Sequence, residues 1–531
     1  MTVLLALEGI SVLGLLLLAG LVWLLDYVYR DELADLQQRY GDSASFQQVM
    51  AHPVSQQILS SLLMGGVGVL GVTFCLSMMV WLKLRKEPPP TTYGTARWAE
   101  RGELRHLQGG GVVFGRSGGP RGQLVEKPPE QPGHVLVVGG TGSGKSRGSA
   151  IPTLLRWPGA ALVVDVKGEL WQRTAGHRSQ VGPVYCFDPE TLDGDCYDPI
   201  SEASTVDGAM ELARYLIPEP QGGDPFWARA AQGLLAAAAL EGAMAGASLA
   251  TVAARLCETP AAELVEQLRD SPLREARMLA SLAADMPEKT LGGVVARLRS
   301  QLLALAADPN IGRATDPRGL RRWSARDLDA GATVYLRISE RQIRQYKGLF
   351  TLMVSQILRH LSGRPEGAPV PVLILLDELP RLGRVAGLVE AQATLRSRNV
   401  HLVLVIQSLA QLDAIYGREE RKVICDNAAY KLVLSATDPE TQKYFSDLAG
   451  QRTVMAHSEG RTGGAILGTP NYGRSEAGVP LPRPEEWARL GGFVLFSPGR
   501  HPARLTPAWW DQDRELARLA VEPHRTLRAA T

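Results

Sequence analysis

Cysteine is scarce in this chain, which has five cysteines among 531 residues. None of them forms a Cys-x-x-Cys pair, and none stands at zinc-ligand spacing from a histidine. The sequence therefore supports neither a structural zinc site nor a disulfide framework, and the bulk of the chain is typical of a reducing compartment. No internal repeat is evident either.

A strong charge of either sign is also absent, since the formal net charge is +2. A balance so close to neutral neither requires nor excludes nucleic acid, and any DNA would have to be handled by local features such as a pore lining. Hydrophobic residues make up 45% of the chain, which is enough to fill real cores in two or three domains. A disordered or fibrous chain is excluded.

Two long hydrophobic segments open the chain, at 3–25 with Glu8 as its one charged residue and at 58–82 with no charge. Each is long enough to cross a bilayer core of about 30 Å. A cleaved signal peptide is the alternative for the first segment, but a basic start and a small-residue cleavage site are both missing. We predict two transmembrane helices at 3–25 and 58–82.

The charges beside these segments predict their orientation. Acidic residues outnumber basic ones between the two segments, whereas Lys83, Arg85 and Lys86 follow the second. The positive-inside rule then places both termini in the cytosol and the short loop outside. Four glycines in the second segment predict close helix packing within the membrane: Gly65, Gly66, Gly68 and Gly71.

A short apolar run, 134–138, leads directly into a segment of the form G-x-x-x-x-G-K-S. Such a segment between a strand and a helix turns backbone N–H groups inward on the phosphates of a nucleotide. Lys145 would reach the β- and γ-phosphate oxygens, and the hydroxyl of Ser146 would hold Mg²⁺. A chance glycine-rich turn is disfavoured because the apolar residues 150–155 follow where the helix is needed. The predicted nucleotide-binding residues are Gly139, Gly140, Thr141, Gly142, Ser143, Gly144, Lys145 and Ser146.

A second apolar run, 370–376, ends in Asp377 and Glu378. Buried aliphatic runs of this kind are typical of a central parallel strand. Asp377 would bind the Mg²⁺ shell, and Glu378 would accept a proton from the attacking water. A solvated acid pair at a strand end is common, but the glycine-rich segment upstream favours the catalytic interpretation. The sequence thus predicts an ATPase that uses ATP and Mg²⁺.

A third apolar run, 401–406, ends in Gln407. An amide at the end of a neighbouring strand would meet the γ-phosphate, so Gln407 is a candidate for positioning the water or sensing hydrolysis. A surface glutamine that caps the next helix is the alternative.

The rest of the chain alternates short apolar runs with helical patterns, which indicates an α/β fold with a mostly parallel sheet. The stretch from about 201 to 308 has helical periodicity without a convincing strand, and 451–484 is rich in Gly, Ser and Pro, which predicts a long mobile loop. The predicted domains are a membrane domain at 1–86, an α/β domain in two parts at 87–200 and 309–531, and an all-helical insertion at 201–308.

A collinear set of motifs resembles one family. Tyr-Gly-Thr-Ala-Arg-Trp-Ala begins at Tyr93, Asp-Val-Lys-Gly-Glu-Leu occupies 165–170, and Asp-Glu-Leu-Pro-Arg-Leu-Gly occupies 377–383. Together with the glycine-rich segment, these motifs are similar to those of the type IV secretion coupling proteins, the TraG/TraD-like conjugal transfer ATPases. Two positions depart from the pattern: many members have Pro where Gly140 stands and Asn where Asp198 stands.

The resemblance implies a RecA-like P-loop NTPase domain with the helical insertion as its substrate-receiving part. It implies a homo-hexamer in the bacterial inner membrane that uses ATP to deliver relaxase-bound single-stranded DNA into a type IV secretion channel. Two alternatives stay open: a coupling protein for effector proteins without DNA transfer, and a docking receptor whose nucleotide only regulates assembly.

An arginine completes the predicted site. In ring ATPases an arginine of the neighbouring subunit stabilises charge on the phosphates. Arg396 and Arg398 lie in the part of the chain that similar enzymes present across that interface, and Arg396 is the better candidate. Solvated arginines at a helix end are the alternative.

Overall fold

The structure is a computed structural model. It describes residues 2–41, 51–84, 91–191, 194–220, 224–319, 321–462 and 469–522. They belong to two compact units, 1–90 and 91–531.

The first unit contains three described helices, α1 (Thr2–Val28), α2 (Arg30–Tyr40) and α3 (Pro53–Leu84). Helices α1 and α3 pack together, and Gly65 lies against Leu21. Among the described residues, Pro53–Met79 is the one helical stretch long and apolar enough to span a membrane, and Gly14–Val28 is a shorter apolar stretch. Of the four glycines predicted to pack closely, the other three face open space. The first predicted span therefore remains a prediction, and Arg85 and Lys86 lie outside the described residues.

The second unit is built on fifteen strands and sixteen α-helices within its described residues. The strands are β1 (Val112–Ser117), β2 (Gln123–Lys127), β3 (Val135–Gly139), β4 (Ala160–Asp165), β5 (Val184–Phe187), β6 (Cys196–Tyr197), β7 (Arg322–Trp323), β8 (Thr333–Arg337), β9 (Val372–Leu376), β10 (Val400–Ile406), β11 (Tyr430–Ser435), β12 (Gln451–Thr462), β13 (Thr469–Pro480), β14 (Phe493–Phe496) and β15 (Ala503–Leu505). The helices are α4 (Ile151–Arg156), α5 (Glu169–Val181), α6 (Val206–Leu216), α7 (Phe226–Ala245), α8 (Leu249–Glu258), α9 (Ala261–Arg269), α10 (Arg274–Ala284), α11 (Glu288–Ala307), α12 (Pro309–Ala314), α13 (Ala325–Asp329), α14 (Ile343–Ser362), α15 (Leu379–Leu382), α16 (Leu388–Leu395), α17 (Leu409–Asn427), α18 (Pro439–Ala449) and α19 (Arg514–Leu519).

Nine strands form the central sheet, in the order β15-β14-β11-β3-β10-β9-β4-β8-β5. The seven strands from β11 to β5 are parallel, and β14 and β15 are antiparallel at one edge. Strands β3, β4, β9 and β10 are buried along their whole length because hydrophobic clusters cover both faces of the sheet. The predicted α/β fold with a mostly parallel sheet is confirmed. Its parallel strands bring their carboxyl ends to one edge, where such folds bind ligands.

The stretch between β6 and β7 is helical in its described residues and carries α6 to α12. Strands β6 and β7 pair in parallel, so the chain enters and leaves this helical region at neighbouring positions. The region packs on α14 of the sheet domain, where Arg359 pairs with Glu211. Strand β6 contacts the same helix, because the hydroxyl of Tyr197 donates to Gln356 at 3.0 Å.

The prediction of a long mobile loop at 451–484 is wrong. Strands β12 and β13 form an antiparallel hairpin of twelve residues on each side, and residues 463–468 lie outside the described part. The base of the hairpin is fixed because Ala96 donates its N–H to the carbonyl of Gln451 at 3.0 Å, and Thr453 donates to the carbonyl of Gly94 at 3.2 Å. The Gly and Ser content is typical of a loop, but the backbone hydrogen bonds between the two segments stabilise a two-stranded ribbon instead.

A lysine is buried at the opposite edge of the sheet, where the strands begin. Lys127, at the end of β2, is fully buried, and its Nζ lies 2.8 Å from Nδ1 of His401. Burial lowers the pKa of Lys127 to about 7. Desolvation also lowers the pKa of His401 well below its ordinary value.

This lysine predicts a pH dependence of stability. Between pH 7 and its ordinary value of 10.5, the unfolded chain holds a proton that the folded chain has released, so stability rises with pH by up to about 1.4 kcal/mol per unit. Lys127→Met is expected to flatten this rise, measured as melting temperatures of the full chain at pH 7 and pH 9. Lys422→Met, at an exposed pair with Glu419, is the control. Parallel curves for wild type and Lys127→Met would contradict the assignment.

Candidate nucleotide-binding site

The glycine-rich segment after β3 forms a tight loop that leads into a helix. Gly142 and Gly144 have φ values of 76° and 86°, which favour glycine. Gly144 has no room for a side chain because the indole of Trp509 lies against it. The chain then forms the helical turn Ser146–Ala150 and continues into α4. The loop therefore lies at a helix N-terminus, where backbone N–H groups attract phosphate.

Lys145 is folded across this loop. Its Nζ donates to the carbonyl oxygens of Gly139 at 2.6 Å and Gly140 at 3.0 Å. Burial lowers its pKa, while the negative charges of Asp377 and Glu378 act in the opposite direction. The ammonium group thus lies where phosphate oxygens would replace the two carbonyls as its partners.

Asp377 and Ser146 come together as the predicted metal ligands. Oδ2 of Asp377 lies 3.5 Å from the Ser146 hydroxyl, and its Oδ1 is buried without a hydrogen-bond partner. Burial raises the pKa of Asp377 to about 7, with further contributions from the charges of Asp165 and Glu378. A buried carboxylate oxygen without a partner, next to a hydroxyl, fits the oxygen ligands that Mg²⁺ prefers. A divalent cation there would favour the ionised form of Asp377.

Glu378 lies at the strained end of β9. It has φ 55° and ψ 48°, a left-handed conformation that costs a non-glycine residue about 1 kcal/mol or more. Its side chain is nearly buried, and two cations hold it: Nζ of Lys167 at 3.4 Å and Nε of Arg381 at 3.3 Å. Strain of this kind is common where a side chain must be aimed at a reaction centre.

Gln407 follows β10, the strand between β3 and β9. Its Oε1 accepts a hydrogen bond from the hydroxyl of Thr141 at 3.3 Å, and its N–H donates to Gln411 at 3.0 Å. The side chain of Gln407 therefore lies beside the phosphate loop. The side chain of Gln411, and not that of Gln407, binds a backbone N–H at the start of α17.

Arg396 lies apart from these residues. It is exposed in the helical turn Arg396–Arg398 that precedes β10, at the edge of the sheet where the strands begin. The seven residues of β10 separate it from Gln407, a distance of about 23 Å at 3.3 Å per residue. Neither Arg396 nor Arg398 is brought to the site of its own chain, and a role in a neighbouring subunit remains a prediction.

Sequence reasoning gave no role to two residues at the end of the neighbouring strand β4 and just after it. Strand β4 pairs with β9 so that Val164 lies opposite Leu376, which places Asp165 beside Asp377. Lys167 follows two residues later and reaches Glu378. The Asp-x-Lys pattern after an apolar run was the available signal, but its meaning depends on which strand lies next to β9.

The C-terminal segment also contacts the phosphate loop. Trp509 packs on Phe493 with ring centroids 5.6 Å apart, and the guanidinium of Arg147 lies 4.9 Å from the Trp509 ring centroid. Arg147 also makes two hydrogen bonds of 2.7 Å to Asp511. No sequence signal pointed to this contact, which fixes the first turn of the helix after the loop.

A phosphate loop after β3, an acid pair after β9 and a glutamine on the strand between them define a P-loop nucleoside triphosphatase. The family described as type IV secretory system conjugative DNA transfer matches residues 97–530. The chain belongs to this family, the coupling proteins of the TraG/VirD4 type. Protein VirD4 of Rhizobium radiobacter is 30% identical over 474 residues, with 84% of this chain and 67% of that protein covered. Conjugal transfer protein TraG of Escherichia coli is 27% identical over 457 residues, with 75% and 71% covered.

Solved structures of the plasmid coupling protein TrwB share the fold. The complex with the GTP analogue GDPNP has a TM-score of 0.62 and 20% identity, and covers 80% of this chain and 96% of TrwB. The complex with ADP and Mg²⁺ has a TM-score of 0.58 and 20% identity, and covers 82% and 99%. The RecA-like NTPase fold with a helical domain is thereby confirmed.

Proposed function

We propose that the chain is a magnesium-dependent ATPase of the bacterial inner membrane that drives relaxase-bound single-stranded DNA into a type IV secretion channel. The observation that carries the proposal is the convergence of Lys145, Ser146, Asp377, Glu378 and Gln407 at one edge of the sheet, in a chain of the conjugative DNA transfer family. We propose a homo-hexamer as the working form, with relaxase and channel components as partners.

Each residue has a part in this activity. Lys145 binds the β- and γ-phosphates, while Ser146 and Asp377 hold the cation that neutralises developing charge. Glu378 takes the proton from the attacking water, and Gln407 orients that water. The relative TrwB has been solved with an ATP analogue and with ADP and Mg²⁺, which supports these cofactors.

Two other functions compete with DNA transport. An effector-secretion coupling protein would keep the same ATPase and change only the cargo. A docking receptor whose nucleotide only regulates assembly is disfavoured, because such a receptor has no need for a buried proton acceptor at Glu378. The names of the TraG relatives, conjugal transfer proteins, favour DNA as the cargo.

Conjugative transfer of a marked element tests the proposal. Deleting the gene is expected to abolish transfer, the wild-type gene to restore it, and the Glu378→Gln gene to fail. Lys422→Met, at an exposed ion pair, should restore transfer fully. Restoration by Glu378→Gln would favour the receptor function, whereas unchanged transfer in the deletion strain would exclude the DNA cargo.

The membrane arrangement is a further part of the proposal. We expect two spans, at 3–25 and 58–82, with both termini in the cytoplasm, since basic residues follow the second span. Reporter fusions at Ser45 and at the C-terminus are expected to report opposite sides of the membrane. Two fusions on the same side would show that the segment 58–82 does not cross the membrane as a single span.

A further inference from the structure

Each carboxylate oxygen of Glu378 is held by a different cation. Oε1 lies 3.4 Å from Nζ of Lys167, and Oε2 lies 3.3 Å from Nε of Arg381. A carboxylate fixed at both oxygens loses the freedom to rotate about its side-chain bonds. Its remaining lone pairs can still accept a proton, because an ionised carboxylate has about four acceptor positions.

The two cations come from different parts of the chain and differ in the number of acids that they contact. Arg381 lies on the short helix α15 that Glu378 directly precedes, and it also reaches Glu340 at 3.5 Å, so it is shared between two acids. Lys167 comes from the loop that follows the neighbouring strand β4. Among the described residues, its one recorded ion pair is with Glu378. Of the two cations that contact Glu378, Lys167 is therefore the one that comes from a different segment of the chain.

The loop that carries Lys167 is itself fixed. Asp165 is buried at the end of β4, and its Oδ2 accepts the N–H of Trp171 at 2.8 Å. Gly168 turns the chain with φ 72° immediately before α5 begins. This loop holds the backbone of Lys167 beside the end of β9. The side chain of Lys167 then needs only to span the gap between the adjacent strands to reach Glu378.

We propose that Lys167 is a positioning residue, which holds the carboxylate of Glu378 where it accepts the proton of the attacking water. This inference rests on the proposed ATPase function. Lys145 remains the cation that binds phosphate, and Lys167 acts through Glu378 without touching the nucleotide. A displacement of about 1 Å in a reacting group can lower turnover by up to about 100-fold. A half-exposed ion pair without such a role contributes about 0–1 kcal/mol to stability and nothing to turnover.

The test separates binding from turnover in the full chain purified in detergent. Lys167→Met is expected to lower kcat by about 10- to 100-fold and to leave the affinity for a fluorescent ATP analogue unchanged. Lys167→Arg keeps a cation at the same place and is expected to recover most of the activity. Lys422→Met is the matched control because it removes an exposed lysine from an ion pair on α17. Unchanged nucleotide affinity in Lys167→Met also shows that the variant is folded.

A double-mutant cycle identifies the route of the effect. If Lys167 acts through Glu378, adding Lys167→Met to Glu378→Gln lowers the residual single-turnover rate no further. An equal fold-loss in both backgrounds, a kcat like that of wild type, or a higher kcat would each overturn the inference. A wild-type protein without ATPase activity would overturn the proposed function as well. An active wild type with an inactive Glu378→Gln and a neutral Lys167→Met would overturn only the role of Lys167.

Discussion

Glu378→Gln is expected to lower the turnover of ATP by about 100-fold or more while the protein still binds ATP and Mg²⁺. The amide keeps the size of the side chain but cannot accept the proton of the attacking water, and such proton transfer contributes about 10²–10⁴ to rates. Steady-state phosphate release with single-stranded DNA measures turnover, and equilibrium binding of a fluorescent ATP analogue measures affinity.

A matched control for this substitution is Glu419→Gln, which changes an exposed acid in an ion pair with Lys422. It is expected to leave both quantities unchanged. Wild-type turnover in Glu378→Gln would assign the proton transfer to another group. Loss of nucleotide affinity in the same variant would instead indicate that the carboxylate binds the cation directly.

Arg396→Ala is expected to lower ATP turnover by about 10³-fold, the effect of losing an arginine that stabilises charge on the phosphates. Because Arg396 lies at the edge where the strands begin, any effect on a nucleotide would have to be on that of another subunit. Mixing Arg396→Ala chains with inactive Lys145→Ala chains tests this requirement. Some junctions in mixed rings then pair an intact Lys145 with an intact Arg396, and activity should reappear from two inactive parents.

Arg398→Ala is the matched control, since it removes an arginine from the same helical turn. Normal ATP hydrolysis by Arg396→Ala alone would show that Arg396 is a solvated arginine at a helix end without a role in catalysis. A large loss in Arg396→Ala without recovery in mixed rings would show that the residue supports its own subunit.

The parts of the site that could be predicted are those whose chemistry is local in sequence. The phosphate loop needs glycines, a lysine and a hydroxyl at fixed spacing, so Gly139 to Ser146 could be recognised without a structure. Asp377, Glu378 and Gln407 follow apolar runs, and parallel strands necessarily bring their carboxyl ends to one edge. The structure places all three beside the loop.

The parts that could not be predicted depend on which strands are neighbours. Lys167 reaches Glu378 only because β4 pairs with β9, and sequence periodicity does not give strand order. Trp509 reaches Gly144 from more than 350 residues away in the chain. The hairpin of β12 and β13 was missed because its composition is typical of loops, whereas backbone pairing across the two strands decides its structure.

The parallel pair of β6 and β7 has an evolutionary consequence. Paired strands lie about 5 Å apart, so the two ends of the helical region are neighbours in space. Two recombination events near these points can exchange the whole region between related genes without displacing any strand of the central sheet. Its contacts with α14, such as the ion pair between Arg359 and Glu211, would have to be kept. The sheet domain and the helical region can therefore vary separately wherever their residues do not pack against each other.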